Sequence, residues 1–143
     1  METNNKSTKI YKARIIGILF LVAFLAYGIG RSLLESANAS AKYSGAILVL
    51  LNSLMVLLIG VYIRKTLQPV NSWVGNIYLF SRAFESMVLA GIIFNVLPGV
   101  QVPDFYSYYP AMIVLGLGSI PMCYALYKYK ISPSWLGIWG VIG

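Results

Sequence analysis

The sequence contains no histidine, a single cysteine and only four acidic residues. The absence of histidine removes the commonest metal ligand and general base of proteins and excludes haem ligation by histidine. Because Cys123 stands alone, it cannot form an internal disulfide. The chain has no Ser/His dyad and no His-x-x-x-His zinc pair, which hydrolases require, and no second cysteine, which thiol oxidoreductases require. The sequence therefore favours a protein that is not an enzyme, and it predicts no catalytic residue, cofactor or metal.

Charge is also scarce. Only 10% of the residues are charged, against about 25% in an average soluble domain. A soluble protein of 143 residues could not cover its surface with so few charges, so the sequence predicts that lipid is the main solvent. The net charge of +7 would suggest nucleic acid in a soluble protein. Here the basic residues flank apolar segments and no nucleic-acid motif is present, so we expect the lipid bilayer as partner and no nucleic acid.

Four apolar segments are long enough to cross a bilayer, which requires roughly 20 residues of helix. We predict an all-α transmembrane bundle with spans at about 15–34, 43–63, 73–97 and 109–127, and a truncated fifth span at 135–143. The whole chain, 1–143, is interpreted as one membrane domain and as the amino-terminal fragment of a longer protein. Met1 to Thr8 has no apolar periodicity and nothing to bury, so we expect this segment to be poorly ordered.

The first apolar segment has a second interpretation, a signal peptide with a cleavage site at Ala37-Asn38-Ala39. Two features disfavour it. The apolar core is longer than that of a usual signal peptide, and Arg31 and Glu35 lie between this core and the supposed site. We therefore predict that the segment is a membrane span.

The distribution of Lys and Arg predicts the orientation of the spans. With the amino terminus inside the cell, eight Lys and Arg residues flank the inner ends of the spans and two flank the outer ends. The inner residues are Lys6, Lys9, Lys12, Arg14, Arg64, Lys65, Lys128 and Lys130, and the outer ones are Arg31 and Lys42. The sequence thus predicts a cytoplasmic amino terminus and an external third connector that contains Gln101 and Asp104.

Several short motifs occur in an order that resembles one family. They are Ala13-Arg14-Ile15-Ile16-Gly17, Leu67-Gln68-Pro69-Val70-Asn71, Ser81-Arg82-Ala83-Phe84-Glu85 and Ile131-Ser132-Pro133-Ser134-Trp135-Leu136-Gly137-Ile138-Trp139-Gly140. Together they resemble the uncharacterised prokaryotic membrane proteins grouped as domain of unknown function 4386. The resemblance implies a multi-spanning protein of the bacterial inner membrane and implies no activity. Members of that family continue for one or two further spans.

Arg82 and Glu85 lie within the third predicted span, and their spacing of three places them on one helix face. Each charge costs about 2.5–3.5 kcal/mol at mid-bilayer, whereas each of the twelve Ile, Leu, Val and Phe residues of the span returns at most about 0.3–0.6 kcal/mol. The insertion cost of the two charges and the gain from the apolar residues nearly cancel, so we expect both charges to face protein or water and not lipid. A structural ion pair and a site for a proton, ion or ligand are both consistent with this pattern.

Two further polar positions are candidates. Asn52 lies at the middle of the second span, at a depth close to that of Glu85, and it either bridges helices or contacts a ligand. Arg31 and Glu35 form a predicted charge pair at the external edge of the first span, either as an exposed packing pair or as the lip of a cavity.

Two hypotheses of function follow. The first is a small carrier, or a membrane-embedded binding or sensing module, with a polar site at Arg82, Glu85 and Asn52. The second is an accessory or assembly protein that has other membrane proteins, or further copies of itself, as partners. Neither hypothesis identifies a ligand.

Overall fold

A computed structural model describes residues 2–97, 99–100, 103, 105–106 and 108–131, with side chains described from Arg14 onward. These residues form helices and connectors and contain no strand. The helices are α1 (Glu2–Leu34), α2 (Ala39–Leu67), α3 (Ser72–Ala90), which continues as a 3₁₀ helix (Gly91–Val96), and α4 (Tyr108–Lys128). Four stretches are long and apolar enough to span a membrane, namely Arg14–Leu34, Ala39–Leu67, Ser72–Val96 and Tyr108–Lys128.

The first, second and fourth predicted spans each fall in one helix, whereas the third is divided between α3 and the 3₁₀ helix that continues it. Because α2 is longer than the second predicted span, the first two connectors are shorter than expected. The first two connectors are residues 35–38 and 68–71. Asparagine side chains fix the start of the helices that follow them. Asn38 accepts a hydrogen bond from the backbone N–H of Ser40 at 2.9 Å, and Asn71 accepts one from Val74 at 3.3 Å. Such caps satisfy amides that have no partner inside the helix.

Two further boundaries differ from the sequence prediction. Residues 2–8, which we expected to be poorly ordered, belong to α1, because this helix begins at Glu2. Once the apolar part of α1 has nucleated the helix, each added turn needs little further free energy. The third predicted span changes at Gly91 from α to 3₁₀ geometry, a common way to tighten the end of a helix. Gln101, Asp104 and the predicted partial span at 135–143 lie outside the described residues.

The four helices run up and down in sequence order, and each packs against the next. Glycines allow the closest approach of α1 and α2. A Cβ atom added at Gly45 would lie 2.6 Å from the carbonyl oxygen of Gly30 and 2.8 Å from the backbone nitrogen of Leu34. The two backbones are therefore in direct contact at this crossing, as small residues permit in membrane helices.

The core consists of two apolar clusters with a polar layer between them. The first apolar cluster lies where α2 ends and α3 begins and contains Ile59, Ile63, Leu67, Val74, Tyr78, Met122, Cys123 and Ala125. The second apolar cluster lies near the opposite end and contains Leu34, Ala46, Val49, Leu89, Ile92 and Ala111. The buried polar and charged residues of the described chain, here called the polar layer, are Asn52, Ser53, Ser81, Arg82 and Glu85.

Candidate functional site

Arg82 and Glu85 form a buried ion pair on α3, as their spacing predicts. Nη1 of Arg82 donates to Oε2 of Glu85 at 2.6 Å. The two residues are only 5% and 3% exposed. Their charges are therefore shielded from lipid by the rest of the bundle.

Two aromatic side chains hold the Arg82 guanidinium in addition to Glu85. Nε of Arg82 donates to the hydroxyl oxygen of Tyr78 at 2.8 Å. The guanidinium carbon lies 5.1 Å from the ring centroid of Phe20 and 5.3 Å from that of Tyr78. Both distances are within the range of cation–π attraction, which strengthens as water is removed.

Glycines on the two neighbouring helices leave room for this part of α3. A Cβ atom added at Gly60 on α2 would lie 2.8 Å from Cβ of Arg82 and 3.2 Å from its Cγ. A Cβ atom added at Gly118 on α4 would overlap the side chain of Ser81. Any larger residue in place of Gly60 or Gly118 would thus fill the space that the side chains of Arg82 and Ser81 occupy.

Serine hydroxyl groups complete the polar layer. Ser86 on α3 donates to the backbone carbonyl of Ser53 on α2 at 2.8 Å. The hydroxyl of Ser53 donates to the carbonyl of Val49, and that of Ser81 donates to the carbonyl of Tyr78. Of these three bonds, the first joins two helices and the others stay within one.

Asn52 is buried at 3% exposure and lies next to Ser53, near the level of Ser86. However, the hydrogen bonds described for Arg82 and Glu85 go to each other and to Tyr78, not to Asn52. The described hydrogen bonds therefore do not join Asn52 to the ion pair.

The ion pair joins two positions of the same helix, which bears on its role. An ion pair that fixed the bundle would connect side chains of different helices. Arg82 contacts α1 through the Phe20 ring and α2 through Gly60, but the salt bridge itself stays within α3. The charge of Glu85 therefore contributes little to helix–helix adhesion, although its burial carries a desolvation cost that the bond to Arg82 offsets.

The second predicted pair, Arg31 and Glu35, also forms a salt bridge. Nε of Arg31 lies 2.9 Å from Oε1 of Glu35, and the two side chains are 25% and 67% exposed. The pair lies at the end of α1, apart from the polar layer. An exposed pair at this spacing contributes about a few tenths of a kcal/mol to stability. Of the two interpretations above, the exposure of the Glu35 side chain favours the exposed pair.

Three contributors to the site were not predicted from the sequence. Tyr78 precedes Arg82 by four residues on the same helix, a spacing that could have identified it as a partner. Phe20 and Gly60 come from other helices, and only the packing of α1 and α2 on α3 brings them to Arg82. No spacing rule within one helix could have found them.

Among the residues described, no group of three or more Cys, Asp or Glu side chains could hold a metal ion. Comparison of the chain with protein-family models, curated proteins and solved structures finds no match. Function must therefore be inferred from the contacts of the polar layer.

Proposed function

We propose that this chain is a multi-pass protein of the cell membrane that binds a small ligand at Arg82 and Glu85, as a carrier or as a binding or sensing module. The proposal includes a cytoplasmic amino terminus, a bacterial inner membrane and the family resemblance described above. Its support is the group of four apolar helices together with a charged pair at their centre.

The observation that carries the proposal is that the salt bridge lies within one helix. Charged residues inside a membrane are costly and occur mainly along pathways or at binding sites for substrates, ions and protons. Two leucines at these positions would give α3 a greater tendency to insert. Because the described hydrogen bond of the Glu85 carboxylate stays within α3, bundle assembly alone gives little reason for its charge.

The second candidate is an accessory or assembly protein, bound to other membrane proteins or to itself. One observation favours it. The Arg82 guanidinium is already enclosed by Glu85, Tyr78 and Phe20, as expected of a purely structural group. In that case the pair would serve only to fix the conformation of α3.

The two candidates differ in their response to small ligands. The purified protein in detergent should be heated with a panel of small organic ions, and its unfolding temperature compared with that of Arg82→Leu/Glu85→Leu. The double variant is the matched control, because it removes both charges together and strands neither. The proposal expects at least one ion to raise the unfolding temperature of the wild type by several degrees and to leave the double variant unchanged.

Equal responses of the two proteins to every ion would contradict the ligand site. If the wild type and the double variant also co-purify equally with the same unrelated membrane protein, the assembly function is supported instead.

A further inference from the structure

The two members of the ion pair differ in the number of other groups that bind them. Arg82 has a hydrogen bond to Tyr78 and the faces of two rings in addition to its bond to Glu85. Within the part of the chain that the structure describes, Arg82 is the one hydrogen-bonding partner of the Glu85 carboxylate. If the salt bridge opens, Arg82 therefore keeps its hydrogen bond to Tyr78 and its ring contacts, whereas Glu85 keeps no described hydrogen bond.

Charge balance restricts what can happen when the bridge opens. An unpaired carboxylate and an unpaired guanidinium would each face a large desolvation cost between two apolar clusters. Glu85 can avoid this cost by taking up a proton. A guanidinium remains charged in proteins, so Arg82 needs another anion.

Resting on the ligand site proposed above, we infer that Arg82 binds a small monocarboxylate in place of Glu85, and that Glu85 takes up one proton for each anion bound. The hydrogen bond from Nη1 of Arg82 to Oε2 of Glu85 breaks, and an equivalent bond to the carboxylate of the ligand replaces it. The proton comes from solvent and forms an O–H bond on Glu85. The site is neutral before and after the exchange.

The chemical class of the ligand follows from the same contacts. The planar fork of a guanidinium matches a carboxylate, and a monovalent anion replaces the charge of Glu85 one for one. A divalent anion would leave a net negative charge in the apolar interior. The rings of Phe20 and Tyr78 flank the guanidinium, so a ligand with a small apolar body suits the surroundings.

Few other groups could supply the proton linkage. The titratable neighbours of the ion pair are Tyr78 on α3 and Cys123 on α4, both in the first apolar cluster. The neighbours described from α1 and α2 are Phe20, Gly60, Asn52 and Ser53, none of which titrates. A Cys123→Ser background removes the thiol, and tyrosine ordinarily titrates near pH 10, well above the range of the test below.

The test uses the full chain in detergent, in the Cys123→Ser background, with acetate, propanoate and benzoate as probes. All three probes stay ionised between pH 6 and pH 8. Calorimetric titration should give a Kd that rises about tenfold per pH unit, because each bound anion brings one proton with it. Repeating the titration in buffers of different ionisation heat should give an uptake of one proton per anion.

Two variants separate the roles. Glu85→Gln has no carboxylate to protonate, so its Kd for the same probe should not change between pH 6 and pH 8. Arg82→Leu should show no binding. If Glu85→Gln does not fold, the proton uptake of the parent protein decides alone.

Several results would overturn the inference. They are binding with a pH-independent Kd, binding without proton uptake, binding of benzylammonium in preference to benzoate, and no binding of any of the three carboxylates. The first three leave a ligand site in place and remove only its proton-linked, anionic character. The fourth result excludes a monocarboxylate ligand, and the thermal unfolding experiment with the wider ion panel then decides separately whether any ligand site exists.

Discussion

At the scale of single residues, the effect of substituting Arg82 or Glu85 on stability depends on whether one or both partners of the buried ion pair are replaced. Removing one partner strands the other charge in the apolar interior, whereas removing both leaves no charge to pay for. The side chains are 6% and 4% exposed, so solvent can screen little of a stranded charge.

We therefore expect Arg82→Leu to lower the free energy of unfolding by about 3–5 kcal/mol and Arg82→Leu/Glu85→Leu to lower it much less or to raise it. Denaturant unfolding in mixed micelles measures both values. Ser32→Leu, at an exposed position of α1, controls for the effect of adding a leucine to a membrane helix. A double variant that is as unstable as the single one would show that the pair itself holds the bundle.

The residue scale also shows how far the sequence could predict the site. The contact between Arg82 and Glu85 follows from helical spacing, because residues three apart lie on one face. The depth of Asn52 follows from its position along α2. The absence of a described hydrogen bond from Asn52 to Glu85 could not be predicted, because such a bond depends on the rotation of α2 about its own axis.

At the scale of single helices, packing depends on where glycines occur. Gly45 meets backbone atoms of α1 that cannot move without moving the helix. Gly28, on the facing helix, has nothing within 4 Å of the position of an added Cβ atom. The two glycines therefore form a matched pair for substitution.

We expect Gly45→Ala to lower the free energy of unfolding by about 1–3 kcal/mol, because the added methyl group forces α1 and α2 apart. Gly28→Ala should be neutral or stabilising by about 0.5–1 kcal/mol, because alanine favours the helix and meets no neighbour. Thermal unfolding of both variants in the same detergent makes the comparison. Equal effects of the two substitutions would contradict the close crossing at Gly45.

The helix boundaries show which elements the sequence could predict. Apolar length located all four helices, because a bilayer requires about 20 residues of helix. The ends were less predictable. The polar residues Arg64 to Thr66 extend α2 beyond its apolar part, and the 3₁₀ geometry after Ala90 has no counterpart in hydropathy.

At the scale of the whole molecule, the up-and-down order of the helices sends the end of α2 and the end of α4 to the same side. This side carries Arg14, Arg64, Lys65, Lys128 and Lys130, and the opposite side carries Arg31, Glu35 and Lys42. The structure thus concentrates the basic residues at one end of the bundle. Which end faces the cytoplasm stays a prediction.

Single cysteines at Ala37 and Gln68, in a Cys123→Ser background, test the orientation. Both positions are exposed and lie in the first and second connectors. An impermeant thiol reagent applied to intact cells should label position 37 and should reach position 68 only after the cells are opened, because basic connectors remain inside. The reverse pattern would invert the topology.

The placement of both charges on one helix has an electrical consequence for the whole molecule. Arg82 and Glu85 are three residues apart, so they lie about 4.5 Å apart along the helix axis. A membrane potential of 100 mV does about 2.3 kcal/mol of work on one charge that crosses the bilayer, but it does no net work on a neutral pair that moves as a unit. Protonated Glu85 with the proposed carboxylate on Arg82 is neutral as well, so a movement of either form at this depth, or an exchange in which the proton and the anion enter from the same side, carries no net charge across the membrane.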